Sequence, residues 1–473
     1  MNLSTQKLAI VFLLLLAGCS SNIGNNKPSK KDYGYECTIT WDGYTPSAVF
    51  TNKKDPTQTS EEIATMFIEK ESRKVLQYPS NAQRGIREHR VEYVYVNDAQ
   101  LKFESSTNNE EFDQQNVDIN EEKVLNYLRA TTLETQYQAL LATKNESHDT
   151  SHYTLNVPRY GNEQTSIVLA SDEEFTTDVS KYLTETDSYT FDYLIPGNTY
   201  YWKASGKTSD VEFDGGLFKV NEDNIRFGNF DRVGNMRDLG GWKTGTNSRI
   251  KYNMIVRGRN PDSLNTTQKN EITEAYGFKT QIDLRSDGDG PINVRICPGV
   301  NYYYTNTSLI YNQVLENLNV KAGVCETPDE DNGRRLTYGQ LLAKIFDILA
   351  QETSYPLYFH CIHGADRTGT LAVLIEGLLG VSEEDIVKDY ELTSFNSKSG
   401  QRLRGKGNAD NTSFAVPLED SSSGYGLQHL FASLRAYSGN TLKDKIENFL
   451  TSEDVGVPDS TITAIRNLLI EEI

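Results

Sequence analysis

The chain has 473 residues and a formal net charge of -19, with 37% hydrophobic and 24% charged residues. At roughly 100–200 residues per domain, this length implies two to four domains with sizeable cores. The acid excess, with no basic groove in view, argues against a nucleic-acid partner, because such a surface repels a polyphosphate backbone. Any anion-binding site must therefore come from local structure.

The chain begins "MNLSTQKLAIVFLLLLAGCSSN", with one lysine, an apolar run from Leu8 to Ala17 and then small residues. The run falls short of the ~20 residues a membrane-spanning helix needs and fits the core of a signal peptide over 1–18. Leu16-Ala17-Gly18-Cys19 resembles the lipobox of bacterial lipoproteins. That resemblance implies cleavage before Cys19, lipidation of its thiol and a membrane-anchored body in the bacterial cell envelope, periplasmic or cell-surface. The alternative is a plain secretory signal with an incidental cysteine. The five cysteines, Cys19, Cys37, Cys297, Cys325 and Cys361, are too few for a disulfide scaffold. Cys297 and Cys325 either pair in an oxidising compartment or sit apart as buried thiols, and the second reading is the simpler one.

Residues 19–36 are polar, with Gly, Asn, Pro and Lys, and read as a tether. Residues 37–145 form an α+β region with no recognisable chemistry. "HRVEYVYV" (89–96) predicts a strand, and "EEKVLNYLRATTLETQYQALLAT" (121–143) predicts a helix with apolar Val124, Leu125, Tyr127 and Leu128. Over 146–222, "HYTLNVPRY", "TSIVLASD", "SYTFDYLI" and "TYYWKASG" are short β-branched and aromatic runs between turn signals. That spacing predicts a small β-sandwich. Tyr200 and Trp202 alternate with Tyr201, so one face supplies core aromatics, a commoner use than sugar binding. The stretch "LIPGNTYYWKAS" (194–205) resembles the late-strand signature of fibronectin type III domains.

From 223 to 473 the pattern becomes α/β. Apolar strands ("KYNMIVRG", "KTQIDLRS", "PLYFHC") alternate with helical patterns ("YGQLLAKIFDILAQE", "GTLAVLIEGLLG", "EEDIVKDYELTSF", "DSTITAIRNLLIEEI"). This predicts a central sheet flanked by helices.

The chemistry concentrates in "YFHCIHGADRTGT" (358–370). A short buried strand ends at His360, a helix starts near Thr368, and Cys361-Ile362-His363-Gly364-Ala365-Asp366-Arg367 lies between them. A loop at a helix N-terminus turns backbone N–H groups inward, and the helix dipole adds positive potential, so Ile362, His363, Gly364 and Ala365 are candidate phosphate binders. The same field favours thiolate at Cys361. Arg367 offers a planar fork for two phosphoryl oxygens. Gly364 permits the turn, and the Thr368 hydroxyl is placed to assist departure of the sulfur. A bare C-x5-R is a weak signal, whereas H-C-x-x-G-x-x-R-T-G between a strand and a helix is far rarer. Zinc on His360, Cys361 and His363 is disfavoured, because adjacent residues rarely converge on one tetrahedral ion. An inert structural turn is the other bland reading.

At these residues the chain resembles the cysteine-dependent protein tyrosine phosphatase superfamily, and more narrowly its bacterial tyrosine/dual-specificity branch. "VGNMRDLGGW" (233–242), "VRGRN" (256–260), "QIDLRSDGD" (281–289), "LLGVSEEDIVKDYELTS" (378–394) and "GVPDSTITAIRNLL" (456–469) resemble segments of that branch in order. The resemblance covers about half the chain and implies hydrolysis of phosphomonoesters through a phosphocysteine, with no cofactor and no metal. It implies Cys361 as nucleophile, Arg367 as phosphate clamp and Asp366 as general acid. Superfamily relatives instead take the acid from an upstream loop, where "CETPDEDNG" (325–333) offers Asp329 and Asp331. Many relatives carry lysine where this chain has Ala365. Its loss argues against inositol phosphates or phosphoinositides and toward protein phosphotyrosine, with phosphoserine or phosphothreonine as further substrates. His363 substitutes for that lysine only if protonated. Arg237, Asp238, Arg257, Asp283 and Arg285, in the matched segments, read as buried ion pairs at strand ends more readily than as substrate contacts. Tyr302, Tyr303 and Tyr304 read as a strand. The non-enzymatic rival is a surface lipoprotein that binds phosphorylated or glycan ligands through a retired site.

Overall fold

A computed structural model describes residues 35–42, 45–59, 62, 90–96, 99–106, 115–143, 146–157, 164–207, 212–228, 233–306, 310–323, 335–400, 402 and 426–473. The chain divides into two compact units, one containing 153–191 and 197–220 with the residues up to Val117, the other containing 118–152, 192–196 and 221–473.

The elements described in the first unit are strands. β1 (Tyr35–Asp42), β2 (Thr45–Asn52), β3 (Arg90–Val96) and β4 (Ala99–Ser106) form a sheet of order β2-β1-β4-β3, in which β1 and β4 run parallel. β5 (Gln115–Val117), β6 (His152–Asn156), β7 (Thr165–Ala170), β8 (Ser180–Thr184), β9 (Ser188–Asp192), β10 (Thr199–Gly206) and β11 (Glu212–Val220) follow. They make a five-stranded sheet, β5-β11-β10-β7-β8, and a β6-β9 pair. On β10, alternate residues point to opposite faces, so Tyr200, Trp202 and Ala204 are buried while Tyr201 is only partly so. Tyr153 of β6 and Phe191 of β9 lie over Phe218 of β11, with ring centroids 4.7 and 6.4 Å away. The two ladders therefore share an aromatic core.

The second unit opens with α1 (Glu122–Leu128) and α2 (Leu133–Leu141), where the sequence pattern predicts one helix. The break has a local cause. Thr132 caps α2 by accepting from the Thr135 N–H while the Thr135 hydroxyl serves the Thr132 backbone, and this box starts a new helix. The two helices bury Val124, Tyr127, Tyr137 and Leu140 against Ile225, Phe227, Leu392 and Phe395. Segment 118–152 is thus built into the same unit as 221–473.

The strands of this unit are β12 (Arg237–Asp238), β13 (Lys243–Gly245), β14 (Ser248–Ile250), β15 (Ile255–Gly258), β16 (Thr280–Asp283), β17 (Asn301–Tyr304), β18 (Lys321–Gly323), β19 (Leu336–Thr337), β20 (Leu357–His360) and β21 (Ile470–Glu472). Its further helices are α3 (Thr266–Tyr276), α4 (Tyr311–Glu316), α5 (Tyr338–Leu349), α6 (Asp366–Leu379), α7 (Glu383–Leu392), α8 (Leu427–Arg435), α9 (Leu442–Leu450) and α10 (Asp459–Leu469). The central sheet has the order β12-β15-β20-β16-β17, parallel throughout except at β12. Parallel strands are buried on both faces, which is why these read as apolar runs. Ile255, Leu357, Phe359 and Ile282 face a core shared with α5, α6 and α8–α10, while Val256 and Tyr358 face a second core with Ile272 and Tyr276 of α3. This is the sheet between helices that the sequence predicts. Helix α10 stops at Leu469 rather than running to the end, because Ile470–Glu472 pairs antiparallel with Ser248–Ile250. No helix among the described residues is long and apolar enough to cross a membrane.

Candidate active site

β20 is buried at all four positions and delivers the chain to the loop at the carboxyl end of the sheet. Cys361 follows it directly, 4% exposed and part of the core beneath α6. The chain then turns at Gly364, whose φ of +66° suits glycine; a Cβ there would lie 2.4 Å from the backbone of Gly258. Helix α6 begins at Asp366 after Ala365.

Four consecutive loop carbonyls are tied down by donors from elsewhere in the unit. Ile362 O accepts from Asn260 Nδ2 at 2.9 Å and from the Asn260 N–H at 3.3 Å. His363 O accepts from Asn235 Nδ2 at 3.0 Å and Ser399 Oγ at 2.9 Å. Gly364 O accepts from Asn235 Nδ2 at 3.0 Å and an Arg257 Nη at 2.9 Å, and Ala365 O from the same Arg257 atom at 3.4 Å. A trans peptide sets each N–H opposite the preceding carbonyl. Holding the carbonyls of 362–365 outward therefore turns the N–H groups of 363–366 to the other side, at the N-terminus of a 14-residue helix. Among the described residues, the N–H groups of Ile362, His363, Gly364 and Ala365 reach no acceptor. Such a nest of amides at a helix start binds anions.

Behind the loop lies a cluster of buried charge. Asp389 of α7 accepts from Arg237 Nε at 2.7 Å and from Arg257 Nη at 2.5 Å, and all three side chains are within 1% of full burial. Burial alone would raise the Asp389 pKa, but the two guanidiniums outweigh it and hold it low. Asp238 pairs with Arg226 at 2.9 Å, and Asp283 with Arg285 at 2.7 Å. Arg237, Asp238, Arg257, Asp283 and Arg285 are thus the buried ion pairs read from sequence, but Arg257 does more, since it also holds two loop carbonyls. Asn235, the other clamp, is itself held: its N–H donates to Asp149 Oδ2 at 2.6 Å, and the same oxygen accepts from Asn396 at 3.0 Å.

The remaining loop side chains divide by partner. Arg367 pairs with Asp289 at 2.5 Å, and also reaches Leu284 O at 3.3 Å. Burial acts to raise the Asp289 pKa, but the bonds from Arg367 and Ser286 bring it below its ordinary value. Asp366 accepts from Arg402 Nε at 2.8 Å and Nη at 3.1 Å, and from the Tyr311 hydroxyl at 2.5 Å. Tyr311 in turn lies 2.6 Å from the Tyr390 hydroxyl. Burial first, then Tyr390 and Asp366, keeps the Tyr311 phenol protonated, so it donates. The Thr368 hydroxyl is fully buried with no hydrogen-bond partner among the described residues. The His360 ring lies with Nε2 2.9 Å from Gln281 Nε2 and Nδ1 3.2 Å from Cys361 O, stacked on Tyr358, and burial holds its pKa low. His363 is exposed; partial burial, then Arg259 and Arg402, hold its pKa below the usual histidine value, which leaves it neutral at neutral pH. Ala365 is 0% exposed.

Sequence reasoning reached the loop itself but passed over Asn235, Asn260, Arg259 and Asp389, although each lies inside a quoted string. Their partners are set by the fold and carry no local pattern. Asp149, Ser399 and Arg402 lie outside every quoted string. Cys19, Cys325, Asp329 and Asp331 lie outside the described residues, as does the Cys37 side chain, while Cys297 is a free buried thiol facing Phe278 O.

Residues 228–471 match the model of the tyrosine phosphatase family, slightly more than half of the chain. A protein of Cupriavidus necator named "Putative tyrosine-protein phosphatase" is 26% identical over 236 residues, which are 46% of this chain and 83% of that one.

Proposed function

This chain belongs to the tyrosine phosphatase family, and from that premise we propose that it hydrolyses phosphomonoesters through a phosphocysteine, with protein phosphotyrosine as the leading substrate. The observation that supports the reading is the set of four tied carbonyls in the loop that follows Cys361, which leaves the intervening amides free to bind an anion.

In the proposed sequence the phosphoryl group lies in the nest. The Cys361 sulfur attacks phosphorus in line as the ester P–O bond breaks, and Asp366 gives a proton to the leaving oxygen. Water then attacks the phosphocysteine, passes a proton to Asp366, and the P–S bond breaks to free phosphate and thiolate. The transition state is loose, so fixed amides and the Arg367 fork supply most of the stabilisation. Arg367 meets substrate by exchanging Asp289 for two phosphoryl oxygens. The hydroxyl of Thr368, in the first turn of α6 and without a partner among the described residues, supports its assignment to the departing sulfur. Arg402 and Tyr311 act as positioning residues for Asp366.

The envelope lipoprotein reading, with Cys19 acylated and a fibronectin type III-like module ahead of the catalytic domain, is part of the same proposal. It rests on the Leu16–Cys19 string and on the aromatic strands of 146–222.

The test is phosphate release by the full chain, with reductant, from a phosphotyrosine peptide, a phosphoserine peptide, inositol hexakisphosphate and a phosphoinositide, with Cys361→Ser alongside. Release that the substitution abolishes supports the thiol mechanism, and the ranking assigns the substrate class. Release that persists in Cys361→Ser sinks the thiol mechanism.

A further inference from the structure

Arg259 follows β15 and is fixed on the rim of the loop by its own backbone. Its N–H donates to Gly234 O at 3.3 Å, and its carbonyl accepts from the Tyr358 hydroxyl. A Cβ placed on Gly364 would lie 2.9 Å from the Arg259 nitrogen, and the next residue, Asn260, is the one that ties Ile362 O. In the sheet, Gly258 pairs with His360, the residue before Cys361. The side chain is half-buried, and its charge helps hold the His363 pKa down.

The other guanidiniums beside the loop are compensated, Arg257 by Asp389, Arg367 by Asp289 and Arg402 by Asp366. Arg259 is not: its guanidinium makes no hydrogen bond or ion pair among the described residues. The carboxylate that faces it, Asp149, is buried, bonded to Asn235 and Asn396, and pushed by that burial toward its neutral form. A half-buried guanidinium without a counter-charge is uncommon, because desolvation is normally offset by an anion. In a chain of net charge -19, it is a local positive feature beside the candidate nucleophile. Neither Ala365 nor neutral His363 adds a second one.

We propose that Arg259 is a specificity-determining residue of this enzyme, whose planar fork takes a second anionic group that the substrate carries beside the phosphoryl group held over Cys361. The chemistry is bidentate recognition of carboxylate or phosphate. Its two sources are an acidic residue flanking phosphotyrosine and a second phosphate on a small polyol. The inference rests on the phosphatase reading above.

The experiment uses two matched pairs on the full chain: a phosphotyrosine peptide with flanking aspartates against the same peptide with alanines, and an inositol bisphosphate against an inositol monophosphate. Wild type is expected to favour the doubly anionic member of one pair by about tenfold in kcat/KM, the size of one charge-assisted hydrogen bond. That pair identifies the source. In Arg259→Gln the ratio collapses toward one, and Arg259→Lys retains part of it. Thermal melting confirms that both variants fold. No preference in wild type, a preference untouched in Arg259→Gln, or an equal loss on both members would overturn the proposal. The last outcome would assign Arg259 to the thiol or to the loop. Calorimetric binding of the same pairs to Cys361→Ser, with and without Arg259→Gln, separates the two readings. A preference in binding without turnover in wild type keeps Arg259 and sinks the phosphatase, whereas turnover without preference does the reverse.

Discussion

The five-stranded sheet of the first unit and the parallel sheet of the second bury their inward residues by opposite means. Along β10 the buried positions are Tyr200, Trp202 and Ala204, and their neighbours are further rings such as Phe218. β15, β20 and β16 each carry a buried polar residue at or next to the carboxyl end, Arg257, His360 and Asp283, each 0% exposed. In the first sheet burial is packing. In the second, a buried polar group stands at or next to the end of each of these strands, just where the chain must hold a loop with its carbonyls turned outward. A backbone carbonyl inside the protein needs a donor. Arg257 supplies donors to Gly364 and Ala365, and Asp389 makes its burial tolerable.

The comparison breaks most severely at Asp389. Asp389→Ala leaves Arg237 and Arg257 buried without a counter-charge, and removing one partner of such a cluster costs about 3–5 kcal/mol. Because Arg257 then loses its anchor, the folded fraction is expected to lose activity about a hundredfold as well, the order expected when a catalytic group shifts by about an ångström. Denaturant unfolding and kcat/KM on the same preparation check it. Full activity in the folded fraction would mean that the cluster only packs.

Trp202→Ala is the matched change in the first unit. Removing a buried tryptophan also costs about 3–5 kcal/mol, through lost burial and a cavity. Here kcat/KM is expected to stay within about twofold of wild type, since nothing at the loop changes. A comparable loss of activity would show that the sheet does more than pack.

These two cases also mark what the sequence makes legible. The alternation of Tyr200 and Trp202 with Tyr201 is a period-two pattern, and periodicity survives without knowledge of the fold. The parallel strands are legible as apolar runs, and the loop from Cys361 to Arg367 as a dense local string. The scaffold of the loop is not. Asn235, Asn260 and Ser399 meet the loop from separations of 36 to 129 residues, Asp389 reaches it only through Arg257, 132 residues away, and no pattern within a string names such partners. The break between α1 and α2 is hidden for a different reason: the Thr132 and Thr135 box is local but sits inside a good helical period that runs across it.

A smaller effect is expected at Arg402, which touches the site from outside both sheets. Arg402→Met removes the two bonds that hold the Asp366 carboxylate while leaving Tyr311 in place. As a partly exposed pair it contributes about 1 kcal/mol or less to stability, so melting should hardly change. If Asp366 carries the proton, kcat falls about tenfold with little change in KM, and Arg402→Lys recovers part of it. An unchanged kcat would release Asp366 from the role and return attention to Asp329 and Asp331.

The finest contrast lies within the buried cluster, between its two carboxylates. Asp389 has two guanidiniums and is held low, whereas Glu376 on α6 is fully buried and neither of its oxygens meets a donor among the described residues. Burial first, then Asp389, raises the Glu376 pKa well above 4.5, with Arg257 and Arg237 opposing. The folded protein therefore keeps a proton there that the unfolded chain releases above about pH 4.5. The linkage has one sign: stability associated with Glu376 is fully present below that pH and falls as pH rises toward the folded pKa, by about 1.4 kcal/mol per pH unit. Glu376→Gln carries no proton to lose, so its stability relative to wild type should climb with pH above 4.5 and level off at the folded pKa. His360 drifts the other way, because burial lowers its pKa and stability is lost as pH falls below about 6.5. That drift is common to both proteins and cancels in the difference. A flat difference curve would mean that Glu376 is ionised in the fold, and that the two guanidiniums serve both carboxylates rather than Asp389 alone.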